Sequence, residues 1–501
     1  MKPTHARSFK SLQRLAAAGL LACATATGLV ACGSGGSGSG ATPLPPATGA
    51  GPVVDAWVTT GDRTRLLAKQ SLGAFGDAAV LPIQIEVDAG QRFQKMAGFG
   101  ASITDASAWL IHQRMSEPQR EALLQELFGR ANNGQGFDFT RLTIGASDFS
   151  RSHYSLDDRP VGETDPTLQH FSIEPNRADL LPVLKRALAI NPQLSVMASP
   201  WSAPGWMKVN GSLIKGALRT DMHGVFADYL VRYVQAYAAE GVPIFALTLQ
   251  NEPHFEPGDY PGMRLDSAAR ASVVGKHLGP KLQQLGLKTQ LIEWDHNWDD
   301  PAAPLAMLSD PVARPFVAGV AWHCYAGEAK AQQLVRDAYP DKDTWFTECS
   351  GGEWKTNWAE TLPWLVRNVL IGSTRYGARG VLMWNLALDE NFGPHLGGCK
   401  DCRGVVTIDS NTGAVTRNME YYMLGHASRF VRPGAERIAS STVAGTLDTV
   451  AFRNADDGSI VLIVCNSTAS EQRFTVRSDG QGLPMSLPRE SVATLVWKPT
   501  K

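Results

Sequence analysis

The chain has 501 residues, 44% of them hydrophobic, with a formal net charge of −1. That length supports a large apolar core and about two or three domains, although barrels exceed the average length per domain. The balanced charge, with no basic run interleaved with aromatics in the body of the chain, excludes the electrostatic footprint of a nucleic-acid-binding protein.

In chain order, Lys2, Arg7, Lys10 and Arg14 precede an apolar stretch from Leu15 to Val30. It is too short and too rich in Ala and Gly to span a bilayer comfortably, and reads as an export signal. The stretch ends Leu29-Val30-Ala31-Cys32, which resembles a bacterial lipobox. The resemblance implies a signal peptide over 1–31, acylation of Cys32 and membrane contact through that lipid; ordinary cleavage at a small-residue site is the alternative. Residues 32–52, with GSGGSGSGATPLPPATGAG from Gly33 to Gly51, read as a tether with a reach of about 25 Å. Residues 53–92 are β-like, with Trp57-Val58-Thr59-Thr60 and Ile83-Gln84-Ile85-Glu86-Val87, and are expected to join a later β module.

From 93 to 420 strand-like and helical segments alternate. The predicted strands are Ala97 to Ile103, Phe139 to Ile144, Leu194 to Ser199, Phe245 to Gln250, Thr289 to Trp294, Val317 to His323, Thr344 to Thr347 and Gly380 to Trp384. Most are continuous apolar runs, as parallel strands buried on both faces require. Between them, Ser116-Glu117-Pro118-Gln119 opens a helix with Leu123, Leu124, Leu127 and Phe128 on one face. Another helix carries Phe226, Tyr229, Leu230, Tyr233, Val234 and Tyr237 before Gly241 and Pro243. This βα rhythm predicts an α/β fold, a (β/α)8 TIM barrel with its site at the C-terminal ends of the strands. Beyond about Tyr421 short strands and Asp-Gly turns follow, so 421–501 is expected as an attached all-β sandwich domain.

Two carboxylates stand just past predicted strands. Glu252 lies in Leu249-Gln250-Asn251-Glu252-Pro253 after the fourth, and Glu348 in Trp345-Phe346-Thr347-Glu348-Cys349-Ser350 after the seventh. A barrel returns both to one rim, where a pair of carboxyl groups can cleave a glycosidic bond, as acid and nucleophile with retention or, across a wider gap, as acid and base with inversion.

Longer stretches narrow the reading. Phe93-Gln94-Lys95-Met96-Ala97-Gly98-Phe99-Gly100-Ala101-Ser102-Ile103-Thr104-Asp105-Ala106, Ala146-Ser147-Asp148-Phe149-Ser150, the run from Ser199 to Lys208 and Trp384-Asn385-Leu386-Ala387-Leu388 resemble glycoside hydrolase family 30, the glucosylceramidase family. The resemblance implies Glu252 as acid/base and Glu348 as nucleophile of a retaining β-glycosidase, with no cofactor or metal. The Glu348 anion and low-dielectric walls are expected to raise the Glu252 pKa. Asn251 is expected to contact the sugar 2-hydroxyl, Asp148 and Trp201 further hydroxyls, Tyr325 the nucleophile, and Trp384 a wall of the glucose subsite; Trp206 is read as either packing or wall. The implied substrate is a β-glucoside, glucosylceramide first, with β-1,6-glucan as the alternative. A non-catalytic carbohydrate-binding lipoprotein is the remote alternative, and both intact carboxylates speak against it. His395 departs from the animal glucosylceramidases, which carry an asparagine contacting glucose there, and moves the substrate question to its loop.

Cys399-Lys400-Asp401-Cys402 beside it is expected as a short disulfide clamp; a zinc site with His395 lacks an evident fourth ligand. Cys324 and Cys349 are either paired near the pocket or free, and Cys465 is expected as a core thiol.

Overall fold

The computed structural model describes residues 51–77 and 81–499. The expected signal, Cys32 and nearly all of the tether lie outside the described residues. No helix among the described residues is long and apolar enough to cross a membrane.

Eight parallel strands form the barrel: β1 (Gly98–Ser102), β2 (Phe139–Ile144), β3 (Ser195–Pro200), β4 (Ala246–Thr248), β5 (Gln290–Asn297), β6 (Val317–His323), β7 (Asp343–Glu348) and β8 (Ala378–Asn385). They follow one another in chain order around the sheet, and β8 pairs back onto β1. Closure comes between β1 and β2, where Asp138 N–H donates to Phe99 O at 3.2 Å and Ile103 N–H to Arg141 O at 3.0 Å. Every residue of β1 and β2 is buried, which is why these strands read as unbroken runs.

β4 is shorter than the predicted Phe245 to Gln250. The chain leaves the ladder there to serve the rim: Asn251 N–H bonds Pro200 O at 2.8 Å, and Glu252 takes φ 46° with its N–H on Asp295 O at 3.0 Å. β5 runs past the predicted end at Trp294, through a register shift at which Trp294 and Asp295 both have positive φ.

The helix Glu117–Phe128 opens with Ser116 N–H donating to Gln119 Oε1 at 2.9 Å. The helix His223–Ala239 buries Phe226, Tyr229, Leu230, Tyr233, Val234 and Tyr237 against the barrel. Its apolar stripe is wide enough to cover two neighbouring strands.

The β module is one nine-stranded sheet. Val53–Thr60 pairs antiparallel with Ser491–Trp497, and Ile83–Lys95 lies between Glu436–Ser440 and Gln472–Ser478. A bridge between Gly76 and Gly482 brings its two ends together, so the sheet folds over a core that includes Val54, Phe75, Leu462 and Trp497. The helix Met419–Ser428 crosses the boundary expected at 421, and the sheet resumes only at Glu436. Buried His426 on that helix bonds Thr494 Oγ1 at 2.9 Å and Thr59 Oγ1 at 2.8 Å, which staples barrel to sandwich. Cys465 is a buried free thiol.

Candidate active site

The period of two along the barrel strands builds the floor of the site. Phe139, Met197, Ala246, Ala321, Trp345 and Leu382 plug the barrel interior as one apolar layer. Two residues further along the same strands stand Arg141, Ser199, Thr248, His323, Thr347 and Trp384, facing the same way and all buried. The barrel thus changes from an apolar plug to a polar floor within one residue pair per strand.

Asp295 organises that floor. Its carboxylate accepts from Arg141 Nη2 at 2.8 Å, Ser199 Oγ at 2.9 Å, Thr248 Oγ1 at 2.6 Å, Thr347 Oγ1 at 2.7 Å and His323 Nε2 at 3.0 Å. Burial pushes this carboxyl up, but the guanidinium and the donors outweigh it and hold Asp295 far below the usual carboxylate range.

Arg141 is fully buried and serves four acceptors, one of them Ser199 Oγ, which receives its Nε at 3.2 Å. Besides Asp295 it donates Nη1 to Glu348 Oε2 at 2.5 Å and Nη2 to Asn251 Oδ1 at 2.7 Å. Because the guanidinium can only donate, Asn251 presents its carbonyl oxygen to Arg141 and keeps its NH2 for another partner. The guanidinium also lies 4.7 Å from the Trp201 ring and 5.5 Å from the Trp384 ring, which stack on each other at 5.0 Å.

The two glutamates have different partners. Glu348 Oε1 accepts from the Tyr325 hydroxyl at 3.0 Å, and Oε2 from Arg141. Glu252 Oε1 lies 3.1 Å from His323 Nδ1 and 3.2 Å from His296 Nδ1. With carboxylates on both of its ring nitrogens, His323 satisfies both contacts only as imidazolium. Burial opposes that charge, but Glu348, Asp295 and Glu252 override it and raise His323 to about 9.

The expected pKa order of the pair is reversed as the side chains stand. Burial raises Glu252, but the His296 and His323 contacts outweigh it and lower the carboxyl to about 2. Glu348 is raised, first by burial and then by the Glu252 and Asp295 charges, against the pull of His323 and Arg141. The sequence expectation counted the Glu348 charge and missed the two histidines.

A disulfide joins Cys324, between His323 and Tyr325, to Cys349, next to Glu348, with Cα atoms 5.3 Å apart. It braces the loops after β6 and β7 on either side of the Tyr325–Glu348 bond. A second disulfide closes Cys399 on Cys402. This clamped loop covers Asp148: Leu396 N–H donates to Asp148 O at 2.8 Å, and a Cβ on Gly398, whose φ is +67°, would lie 2.4 Å from Asp148 Cβ. Burial, followed by the Glu348 charge, raises Asp148 to about 8.

Asp148, Trp201, Asn251, Glu252, Tyr325, Glu348 and Trp384 all line one cavity of about 480 Å³. A second cavity of about 490 Å³ shares Tyr325 and Trp354 with it and is lined besides by Cys324, Cys349 and Trp364. His395 is not among the residues lining either cavity. Its Nδ1 donates to Gly397 O at 3.0 Å and its ring packs on Phe149, so it shapes the clamped loop that covers Asp148. Trp206 also lies outside both linings, with Nε1 donating to Asp157 O at 2.9 Å, which is packing.

Sequence reasoning missed Arg141, Asp295 and His296, and gave His323 no role. Arg141 had a readable signal, a charge inside the apolar run Phe139-Thr140-Arg141-Leu142-Thr143-Ile144 on the Phe139 face.

Comparison with known proteins agrees with this architecture. Residues 96–431 match the glycosyl hydrolase family 30 TIM-barrel domain and residues 434–495 the family's beta sandwich domain. An endo-1,6-beta-D-glucanase of Neurospora crassa is 34% identical over 85% of this chain and 90% of its own length. The lysosomal acid glucosylceramidase of Mus musculus is 28% identical over 84% of each chain. The solved structure of the endo-beta1,6-glucanase BT3312 superposes with a TM-score of 0.83 at 31% identity, covering 89% of this chain and all of that one. A barrel with this polar floor, its folded-over β module and both family models lead to one conclusion: the chain belongs to glycoside hydrolase family 30.

Proposed function

We propose that the protein is a retaining endo-acting glycosidase that cleaves β-1,6-linked glucan. The observation that carries this reading is the second cavity, which shares Tyr325 and Trp354 with the lining of the catalytic one and has Trp364 in its own lining. Indole faces stack on sugar rings, so the two cavities together offer room for glucosyl units on both sides of a scissile bond. Greater similarity to endo-1,6-beta-glucanases than to glucosylceramidase supports the same choice and moves glucosylceramide, the first expectation, to second place.

Glu348 attacks the anomeric carbon and forms the glycosyl-enzyme while the glycosidic C–O bond breaks and Glu252 gives its proton to the leaving oxygen. Glu252 then takes a proton from water, whose oxygen attacks the anomeric carbon and frees Glu348. Two cations, Arg141 and His323, face three carboxyls, Asp295, Glu252 and Glu348, so charge balance leaves one proton for the glutamate pair. The first step needs that proton on Glu252. A sugar that excludes water and displaces the His296 contact acts in that direction. Asn251 serves the 2-hydroxyl, Asp148 and Trp201 other hydroxyls, and Trp384 the wall, while Tyr325 orients Glu348.

The test is product analysis on β-1,6-glucan, β-1,3- and β-1,4-glucans, xylan and detergent-dispersed glucosylceramide. The expected result is early release of oligosaccharides from β-1,6-glucan. Glucose alone from chain ends, or faster turnover of glucosylceramide, overturns the proposal. Anchoring through acylated Cys32 belongs to the same reading and is tested by membrane fractionation of Cys32→Ser, which should release the protein.

A further inference from the structure

The loop after β2 holds a second cluster of ionisable groups, outside the lining of both cavities. Asp157 is 1% exposed, and among the described residues neither of its carboxylate oxygens has a hydrogen-bond partner. Asp165 is 5% exposed, and His170 keeps about half of its side chain in solvent. One ligand atom from each of the three lies within 4.8 Å of the other two.

Neighbouring charges are committed elsewhere. Asp158 accepts from Ser155 N–H at 2.9 Å and Ser155 Oγ at 2.6 Å, and Arg159 pairs Nη2 with Glu163 while its buried Nε has no hydrogen-bond partner among the described residues. Asp165 Oδ2 accepts from His170 N–H at 2.7 Å and His170 Nδ1 at 3.0 Å, while Asp157 receives nothing. A buried carboxylate is ordinarily met by donors or a cation, and here a second carboxylate is its neighbour instead.

We propose that Asp157, Asp165 and His170 form a binding site for one divalent transition-metal cation of the Zn²⁺ type. Two carboxylate oxygens with one imidazole nitrogen suit such an ion, whereas Ca²⁺ and Mg²⁺ take oxygen sets. On binding, the Nδ1 proton of His170 leaves to solvent and the nitrogen lone pair turns from Asp165 to the ion; water completes the coordination. The backbone N–H of His170 stays on Asp165 and holds that carboxylate in place.

The ion would tie the two ends of the segment from Asp157 to His170. That segment is also held at its base, where Trp206 Nε1 donates to Asp157 O at 2.9 Å, Leu156 N–H to the Tyr229 hydroxyl at 3.1 Å and Ser172 N–H to Leu156 O at 2.8 Å, and near its far end, where Arg232 donates to Thr167 O and Leu168 O, both at 2.9 Å. Asp148 lies four residues past β2 in the same loop, so the ion would support the catalytic pocket from outside without touching substrate.

Chelator-treated full-length protein, Asp157→Asn and His170→Gln are titrated with Zn²⁺ and with Ca²⁺ by calorimetry, and each is followed by thermal unfolding. The expected result is one more Zn²⁺ bound by wild type than by either variant, a Tm gain of several degrees only in wild type, and no response to Ca²⁺. Glu252, His296 and His323 also bring ligand atoms within 4.8 Å, but they are present in all three proteins and cancel in the difference. His170 is exposed, so His170→Gln keeps the fold and isolates ligation. Equal Zn²⁺ stoichiometry in all three proteins overturns the proposal. So does an Asp157→Asn variant more stable than wild type with no Zn²⁺ difference, which would make Asp157 a buried neutral acid. Ca²⁺ binding that survives His170→Gln overturns the imidazole as ligand.

Discussion

Arg141 reaches from β2 across the barrel mouth to Glu348 at the end of β7, Nη1 to Oε2 at 2.5 Å, with both side chains buried. The same guanidinium holds Asn251 and Asp295, so one cation positions the proposed nucleophile, the proposed 2-hydroxyl contact and the hub of the polar floor. Lysine keeps the charge and loses the fork.

Arg141→Lys is therefore expected to lower kcat by about 10²-fold with a small change in KM, and to destabilise the fold by about 3 kcal/mol by leaving buried acceptors unpaired. Steady-state kinetics with urea unfolding checks both. A kcat within fivefold of wild type would contradict the positioning role.

His323 gives the stability a pH signature. Its pKa is raised from 6.5 to about 9 on folding, so its contribution is fully present below pH 6.5 and lost as pH rises through 9. The contribution is about 3 kcal/mol. Unfolding of wild type and His323→Asn at pH 6, 7.5 and 9.5 should show a stability gap that shrinks with pH; a constant gap would tell against the imidazolium.

The Cys324–Cys349 bridge spans 25 residues and flanks both Tyr325 and Glu348. Replacing both cysteines with serine is expected to cost about 3 kcal/mol and to reduce kcat together with Tm. Tyr325→Phe should reduce kcat while leaving Tm within a degree or two, because the hydroxyl orients Glu348 and carries little of the fold. Loss of stability without loss of rate in the serine variant would separate the bridge from the site.

Trp364 faces only the second cavity. Trp364→Ala should lower kcat/KM on β-1,6-linked oligosaccharides by about tenfold, the value of one aromatic stacking contact, and leave an aryl β-glucoside unaffected. Equal effects on both substrates would place Trp364 in the fold and not in substrate binding.

The barrel is legible in the sequence because parallel strands buried on both faces become apolar runs, and Glu252 and Glu348 stand where two of those runs end. The polar floor is harder to read. Arg141 sits inside a strand where apolar residues are expected, and Asp295 and His296 lie beyond Trp294, where the apolar run stops but β5 continues to Asn297. His395 misleads because neighbours in sequence need not share a cavity: the clamp that brings Gly398 to Asp148 turns the imidazole to Gly397 O. The reversed glutamate pKa values depend on His296 and His323, which reach Glu252 from β5 and β6, and no linear pattern encodes that approach.

The most direct test of the account is Glu348→Gly assayed on an activated aryl β-glucoside with added azide, with the product's anomeric configuration read by NMR. Glu348 as nucleophile requires azide to restore turnover and to yield the α-glucosyl azide by attack on the face the carboxylate has vacated. No rescue, or a β-configured product, would contradict it.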